Sequence, residues 1–405
     1  MKHKTYRLQQ SDSRKTKGVI IALVSFILLA TGGCLWFSTQ RQPKVAHVST
    51  NSATNSATKN VAYRTVNGKY LFSGTIMLGR AVEKYAMGDY NQPFSGMTTL
   101  GQYDAAIGVL ECPVTGNVVS YQTQVNSLIF NCQPQWLPTL KKYYPIINLS
   151  SNHLYDQGEN GFNETVKRLD DAGFQVVGNY NPHIEKDDCK VVVLPVRLQK
   201  TNGQEAAGFL PQAYCSYNYK SLFKPEAGEI ESIKKWSKIM PVVALMNGGP
   251  EYQHQAGADQ INVAHALIDN GADFVVGNGT HWVQNTEVYK HKLIVYSLGN
   301  FIFDQLDYDG RIALNLSVGM NVAYDQNVGK WLQVGSRCKS DPVNCVEFAS
   351  AQSLKKIKPS YTFDAVGSYG GYQLVATKAN GQQQKDIEQR ASWTITQQLL
   401  SQNSQ

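Results

Sequence analysis

The sequence predicts an α/β domain, because short apolar runs typical of buried strands alternate with amphipathic helical patterns. The predicted strands are residues 103–110, 144–150, 241–246, 273–276 and 292–298. Apolar residues between 162 and 172 recur at helical spacing, and Gly173 marks the end of that helix. A second helical pattern, residues 260–270, stops at Gly271. This alternation indicates a largely buried sheet.

Polar residues stand just after these predicted strands. Ligands bind at the carboxyl ends of strands in open α/β sheets, so residues at these positions are candidates for a site. The candidates are Glu111, Asn152, His153, Asn247, Glu251, His281 and Asn300. Each also has a structural interpretation, in which His153 braces its loop, Glu111 pairs with a base, and His281 donates to a buried carbonyl.

The amino-terminal residues predict a membrane anchor. Residues 18–37 form a run of 20 residues without a charge, long enough to cross about 30 Å of hydrocarbon. The basic tail, residues 1–17, is expected to stay in the cytoplasm and to place the rest of the chain outside it. A cleaved signal peptide and a lipoprotein anchored at Cys34 are the alternatives, and the long apolar run favours a membrane helix.

Composition predicts one large domain with appendages. The chain has 405 residues, 42% apolar and 17% charged, so it can form a substantial core. Residues 38–64 repeat NSAT and predict a flexible linker, residues 65–377 the extracytoplasmic domain, and residues 378–405 a linker and a C-terminal helix. That helix would carry Ile387, Ala391, Ile395 and Leu399 on one face. Six bases and one acid in the tail give +5 of the net charge of +7, so nothing indicates a nucleic-acid partner.

Six cysteines lie beyond the predicted membrane segment, in a part of the chain where disulfides are expected to form. Six cysteines allow 15 pairings, and the sequence alone does not choose among them, but pairing each cysteine with its neighbour in sequence would close three local loops. These pairs are Cys112 with Cys132, Cys189 with Cys215, and Cys338 with Cys345. Two alternatives are six buried thiols and a zinc cluster, although the sequence has no CxxC pair of the kind that zinc sites use.

Five motifs resemble the bacterial capsule-synthesis CapA family, which is linked to poly-γ-glutamate production and has a calcineurin-like metallophosphatase fold. They are SGTIMLGRAVEKYA at residues 73–86, IGVLECPVT at 107–115, NLSSNHLYDQGENG at 148–161, NGGPEY at 247–252 and YSLGNFIFDQ at 296–305. The resemblance covers roughly residues 69–305. It implies a four-layer α/β/β/α sandwich outside the membrane that serves synthesis or export of an anionic surface polymer.

The resemblance also implies a metal site, and here the chain departs from the family pattern. Thr75 stands in place of the acid of G-D-I-M-L-G-R, Asn247-Gly248-Gly249 in place of H-W-G, and Gly277-Asn278-Gly279-Thr280-His281 in place of G-H-H-P-H. By likeness to the fold, Glu111 would bridge two metals, Asn152 and His281 would each hold one, and His153 would protonate a leaving group or bind an oxyanion. Because too few donors remain for a tight two-metal centre, no cofactor is predicted, and the remaining donors would suit at most one weakly bound divalent cation.

Two functions follow from the resemblance. The first is a membrane-anchored CapA-like protein that binds a capsule or poly-γ-glutamate-type polymer with little or no hydrolysis, using Asn247, Glu251 and Asn300. The second is an active metal-dependent hydrolase or transferase that acts on a phosphoester or amide bond of the polymer. The expected partners are the membrane, the anionic polymer and other capsule-synthesis membrane proteins.

Overall fold

The computed structural model describes residues 62–402, apart from residues 182, 184–188, 220–223 and 225. The predicted membrane helix, the basic tail and most of the predicted linker therefore lie outside the described residues. Within the described ranges, no helix is long and apolar enough to span a membrane.

Strands and helices alternate through most of the domain. The strands are β1 (Tyr63–Ile76), β2 (Ala105–Leu110), β3 (Ile146–Asn148), β4 (Gln175–Val177), β5 (Cys189–Lys200), β6 (Glu205–Asn218), β7 (Val242–Asn247), β8 (Phe274–Asn278), β9 (Thr286–Tyr289), β10 (Lys292–Val295), β11 (Asn300–Ile302), β12 (Ile312–Ala323), β13 (Ser360–Gly370) and β14 (Ala376–Lys378). The helices are α1 (Arg80–Ala86), α2 (Tyr121–Asn126), α3 (Leu137–Tyr143), α4 (Gly158–Asp171), α5 (Ala227–Ser237), α6 (Ala258–Asp269), α7 (Tyr308–Arg311), α8 (Gln326–Ser340), α9 (Cys345–Ala351), α10 (Gly381–Arg390) and α11 (Trp393–Gln402). The predicted α/β class is confirmed.

β1 joins two arms of the sheet. One arm has the order β14-β13-β12-β1-β5-β6-β7-β8-β10-β9, and the second, β2-β3-β4, leaves β1 near its carboxyl end. The arms face each other, because the Gln175 side chain of β4 bonds to the backbone of Val193 in β5. Its Nε2 atom donates to the Val193 carbonyl at 3.0 Å, and its Oε1 atom accepts from the Val193 N–H at 2.7 Å. This mixed, sheet-rich architecture is consistent with the metallophosphatase-like fold that the resemblance implies.

All the parallel strands run in one direction. β1, β2, β3 and β4 are parallel to one another, and so are β6, β7, β8 and β10. β5 is antiparallel to both β1 and β6, so the two parallel sets point the same way. Their carboxyl ends therefore meet at one end of the domain.

The two helices predicted between strands are confirmed. α4 buries Phe162 and Leu169 in a core with residues of β2 and β3, and α6 buries Val263 and Leu267 in the larger core. Both helices stop where glycines adopt positive φ, at Gly173 with +75° and Gly271 with +117°. The helices thus cover the sheet and leave the strand ends to the connecting loops.

The predicted linker at the start of segment 378–405 is wrong for most of its length. Lys378 ends β14, and α10 begins three residues later at Gly381. Asn380 starts this helix, because its side-chain oxygen accepts hydrogen bonds from the backbone N–H groups of Gln382 and Gln383. A favourable N-cap thus outweighs the polar composition from which a linker was predicted.

The single predicted C-terminal helix is also wrong, since the segment forms the two helices α10 and α11. The chain turns at Ser392, whose φ is +53°. Ile387 and Ala391 are buried, whereas Ile395 is 61% exposed, so the predicted apolar face is divided. β1 likewise begins inside the predicted linker of residues 38–64, at Tyr63.

The three neighbouring cysteine pairs form disulfides, as predicted: Cys112–Cys132, Cys189–Cys215 and Cys338–Cys345. The second joins directly opposed residues of β5 and β6. The alternatives of free thiols and a zinc cluster are therefore wrong for these six residues.

Loop length predicts the stability that two of these disulfides contribute. Replacing Cys112 and Cys132 by alanine opens a loop with a sequence separation of 20, and the entropy gained by the unfolded chain should lower the free energy of unfolding by about 3 kcal/mol. The matched change at Cys338 and Cys345 opens a loop with a separation of 7 and should lower it by about 2 kcal/mol. Urea unfolding of the full chain in detergent measures both, and a larger loss from the shorter loop would contradict the prediction.

Candidate functional site

Asparagine side chains collect where the parallel strands end. Asn148 ends β3, Asn218 ends β6, Asn247 ends β7, Asn278 ends β8, and Asn300 begins β11 opposite Thr75 of β1. None of the five is more than 4% exposed. Because these strand ends share one edge of the fold, the five amides form a buried polar layer, which we call the amide layer.

Hydrogen bonds in the amide layer tie the two arms of the sheet together. The Oδ1 atom of Asn148 accepts from the Ser216 hydroxyl of β6 at 2.7 Å and from the Ser150 N–H at 2.9 Å. The Thr75 hydroxyl of β1 donates to Oδ1 of Asn278 in β8 at 3.3 Å. Neutral groups thus satisfy one another at positions where the resemblance implies metal ligands.

The orientation of Asn247 follows from its neighbours. Nδ2 of Asn218 donates to the Tyr180 carbonyl at 2.6 Å, which turns Oδ1 of Asn218 toward Nδ2 of Asn247 at 3.2 Å. The remaining Oδ1 of Asn247 is buried without a hydrogen-bond donor among the described residues. A Cβ atom on Gly279 would stand 2.4 Å from that oxygen, so this position accommodates only glycine without a shift.

Glu111 follows β2 and is buried at the edge of the amide layer. Its Oε2 atom accepts a hydrogen bond from the Ser151 hydroxyl at 2.8 Å, and no lysine or arginine in the described part of the chain pairs with it. The same hydroxyl accepts from the backbone N–H of His153 at 3.2 Å and caps the short turn Asn152–Tyr155. Ser151 therefore connects Glu111 to the turn that carries Asn152 and His153.

That turn holds its two candidate residues in different ways. Nδ1 of His153 lies 2.8 Å from Oδ2 of Asp156, and its ring stacks on Phe130 with 4.1 Å between centroids. Asn152 is half-buried, and its side chain makes no hydrogen bond to another described residue. His153 is thus oriented by its own turn, and the roles predicted for both residues stay predictions.

Glu251, His281 and Asn300 come together beside the layer. Nδ1 of His281 lies 3.1 Å from Oδ1 of Asn300. Nδ2 of Asn300 donates to Gln305 and to the Gly310 carbonyl, so its Oδ1 is an acceptor and Nδ1 of His281 carries the proton. Nε2 of His281 then faces Glu251, whose Oε1 lies 3.9 Å away.

An ion pair that the sequence analysis missed joins the first and last motifs. Arg80 follows the SGTIMLG segment and pairs with Asp304 of the last motif. The guanidinium group lies between two rings, 4.7 Å from the centroid of Phe130 and 5.2 Å from that of Phe303. Both charged residues stand inside the motifs given above, each next to an apolar strand. That position marks them as candidates, but their separation of 224 residues hides the pairing itself.

The site residues do not fit a tight dinuclear metal centre. Among the described residues, no group of three or more His, Cys, Asp or Glu side chains is arranged to hold a metal ion. Thr75 and Asn278 already bond to each other, and Gly279 has no donor. Oxygen donors remain in the carboxylate of Glu111, the unpaired carbonyl of Asn247 and the side-chain amide of Asn152, and such oxygens suit a hard divalent cation held weakly.

Comparison with known proteins places the chain in a family. Residues 69–305, more than half of the chain, match the family described as bacterial capsule synthesis protein PGA_cap. The chain belongs to the PGA_cap family. This confirms the resemblance to CapA proteins that the five motifs carry.

PGA_cap relatives share about a quarter of their residues with this chain. The chain is 26% identical to the PGA biosynthesis protein CapA of Bacillus subtilis over 75% of this chain and 77% of that protein. It is 29% identical to the capsule biosynthesis protein CapA of Bacillus anthracis over 57% of this chain and 59% of that protein. A probable polyglutamine synthesis accessory protein of Mycobacterium tuberculosis is 24% identical over 45% of this chain and 50% of that protein.

The close approach of Gly279 to Asn247 makes Gly279→Ala strongly destabilising. Its φ of +93° disfavours a side chain, and the new Cβ would displace the Asn247 amide, so we expect a loss of about 3 kcal/mol in unfolding free energy. Gly203→Ala is the matched control, because Gly203 has a φ of +83° but no atom within 4 Å of an added Cβ. That change should cost about 1 kcal/mol. Equal losses in urea unfolding would contradict the packing described for the amide layer.

Proposed function

We propose that this protein is an accessory component in the synthesis or export of a capsule or poly-γ-glutamate-type surface polymer. In this proposal it is anchored in the membrane by residues 18–37, lies outside the cytoplasm, and holds the anionic polymer with little or no hydrolysis. Membership of the PGA_cap family supports the proposal that the ligand is a capsule-type polymer. The names of the CapA relatives support a role in its biosynthesis.

The amide layer carries the proposal that the site binds its polymer without cutting it. A two-metal hydrolase lowers the pKa of a bound water only when charged or imidazole ligands hold both ions. Here Thr75, Asn247 and Asn278 are neutral. The Thr75 hydroxyl of β1 already donates a hydrogen bond to Asn278 of β8. Such a layer favours a cleft that binds the polymer over a centre that hydrolyses it.

Aromatic side chains border the amide layer from two sides. Tyr252 is 42% exposed and stacks on His281 with 5.6 Å between ring centroids. Tyr155 is 50% exposed and stacks on Tyr180, whose carbonyl binds Asn218. Exposed ring faces beside buried amides suit a polyamide chain, since the rings cover its methylene groups and the rim accepts its N–H groups.

An anionic polymer would meet acidic groups at this cleft. Glu111 and Glu251 border it, and Glu111 pairs with no lysine or arginine among the described residues. We propose that one weakly held divalent cation offsets this repulsion by bridging carboxylates of the polymer and of the cleft. Binding would then require the polymer and the cation together.

The alternative function is an active metal-dependent hydrolase or transferase of the polymer. The observation that favours it is the burial of the Glu111 carboxylate, whose hydrogen-bond partner is the neutral Ser151 hydroxyl. A buried carboxylate with one hydroxyl partner is costly, and a cation would satisfy it.

Polymer length separates the two functions. The full chain in detergent should leave the size distribution of poly-γ-glutamate unchanged in the presence of Mn²⁺, because the neutral layer lacks the ligands for a tight centre. Size-exclusion chromatography follows the polymer, and Glu111→Gln is the control that removes the remaining carboxylate. Shortening of the polymer that disappears in Glu111→Gln would establish the alternative.

Polymer binding should depend on Tyr252. Tyr252→Ala removes an exposed ring face from the cleft and should weaken binding of fluorescent poly-γ-glutamate about tenfold, measured by anisotropy with Ca²⁺ present. Tyr289→Ala is the matched control, since Tyr289 also stacks on a histidine, His265, but lies on β9 away from the layer. A chelator should weaken binding of the native chain. Equal effects of the two alanine variants would contradict the proposal that the polymer binds at the cleft.

A further inference from the structure

Lysines gather at the end of the domain opposite the amide layer. β13 is antiparallel to β12, which is antiparallel to β1, so β13 runs with the parallel strands and begins at their amino ends. The lysines just before or at the start of β7, β10 and β13 are Lys234, Lys235, Lys238, Lys290, Lys292, Lys355, Lys356 and Lys358. We call this surface the basic end.

Contacts hold the central part of the basic end together. Nζ of Lys356 lies 3.6 Å from Asp273, and Lys292 donates to the carbonyl of Ala272 next to it. The loop that carries Lys355 is fixed to the start of α8, because the Lys355 carbonyl accepts from Nε1 of Trp331 at 2.8 Å. Lys355 and Lys358 are exposed. The loop is therefore an ordered, outward-facing cationic surface.

The end that carries the cleft has the opposite charge. Glu111 and Asp307 face it without a lysine or arginine partner in the described part of the chain, while Asp304 is neutralised by Arg80 and Asp309 by Arg390. At the basic end Lys234 pairs with Glu231 and Lys290 with Asp269, whereas Lys355 and Lys358 are exposed and have no acidic partner in the part of the chain that the structure describes. Positive charge concentrated in this way orients a domain in the field of an anionic surface.

The chain enters the domain at the basic end. β1 begins at Tyr63, and its amino end lies with the amino ends of the other parallel strands. The Tyr63 ring packs on Tyr324 with 5.1 Å between centroids, just before α8 begins. In the second turn of α8, Trp331 holds the Lys355 loop. The basic loop and the point of entry therefore lie on the same side of the domain.

We propose that the basic end is a docking surface for anionic lipid headgroups, which turns the cleft away from the membrane. The inference rests on the proposed membrane anchor, since residues 18–37 precede the entry point. A flexible linker of the length predicted for residues 38–64 spans about 30 Å, so the basic end would stay within reach of the bilayer. Each lysine near an anionic surface strengthens its attraction about fivefold, within a Debye length of about 10 Å.

Hydrogen exchange of the full chain in nanodiscs tests the docking surface. In discs that contain phosphatidylglycerol, residues 354–360 and 290–292 should exchange at least about fivefold more slowly than in phosphatidylcholine discs, and high salt should remove the difference. Lys355→Glu with Lys358→Glu should abolish the slowing at residues 290–292. The matched control is Lys84→Glu with Lys385→Glu, which makes the same charge change at exposed lysines near the cleft end and should leave the slowing intact.

Several results would overturn the inference. Equal exchange in both disc types, in chains that remain in the discs, would show that the basic end does not meet lipid. Slowing by soluble poly-γ-glutamate but not by phosphatidylglycerol would make this end a polymer surface instead. Release of the chain from the discs would contradict the proposed membrane anchor and therefore the inference that rests on it. The proposal that the cleft binds polymer would not be affected.

Discussion

The common direction of the two parallel strand sets is the constraint on which the site depends. β5 is antiparallel to β1 on one side and to β6 on the other, and this single strand aligns both arms of the sheet. Carboxyl ends from both arms then reach the same place, where Asn148 of one arm accepts a hydrogen bond from Ser216 of the other. Without that alignment, the motifs would be spread over opposite ends of the domain and no amide layer would form.

Burial explains why the layer consists of amides. A buried charge is unfavourable unless a partner or an ion neutralises it, whereas an amide needs only hydrogen bonds. Asn148 and Asn218 find these bonds in Ser216 and Tyr180, and the layer is nearly satisfied by protein groups alone. Asn247 keeps one unpaired oxygen, and Nδ2 of Asn278 is a buried donor without an acceptor among the described residues. The layer thus keeps one acceptor and one donor for a ligand while the sheets remain packed around it.

Sequence patterns predicted five of the strands, two helices, the presence of disulfides and the family, because periodicity, glycine stops and motifs are local. They placed His281 and Asn300 in one site, but not the hydrogen bond that sets the protonated nitrogen of His281, which depends on the fold of Gln305 and Gly310 around Asn300. The Arg80–Asp304 pair joins residues more than 200 positions apart, and no local pattern contains that distance. The split C-terminal helix was missed because a single residue in the left-handed region, Ser392, divides it.

The C-terminal helices complete the site, although they lie beyond the residues that match the family. Arg390 of α10 pairs with Asp309 at 2.6 Å, and Tyr308 donates to Asp386 of the same helix. Burial and this carboxylate raise the pKa of Tyr308 to about 12, so its phenol keeps the proton that it donates. The loop held in this way contains Gly310, whose carbonyl orients Asn300 and through it His281. The helix therefore acts on the cleft through the short helix α7.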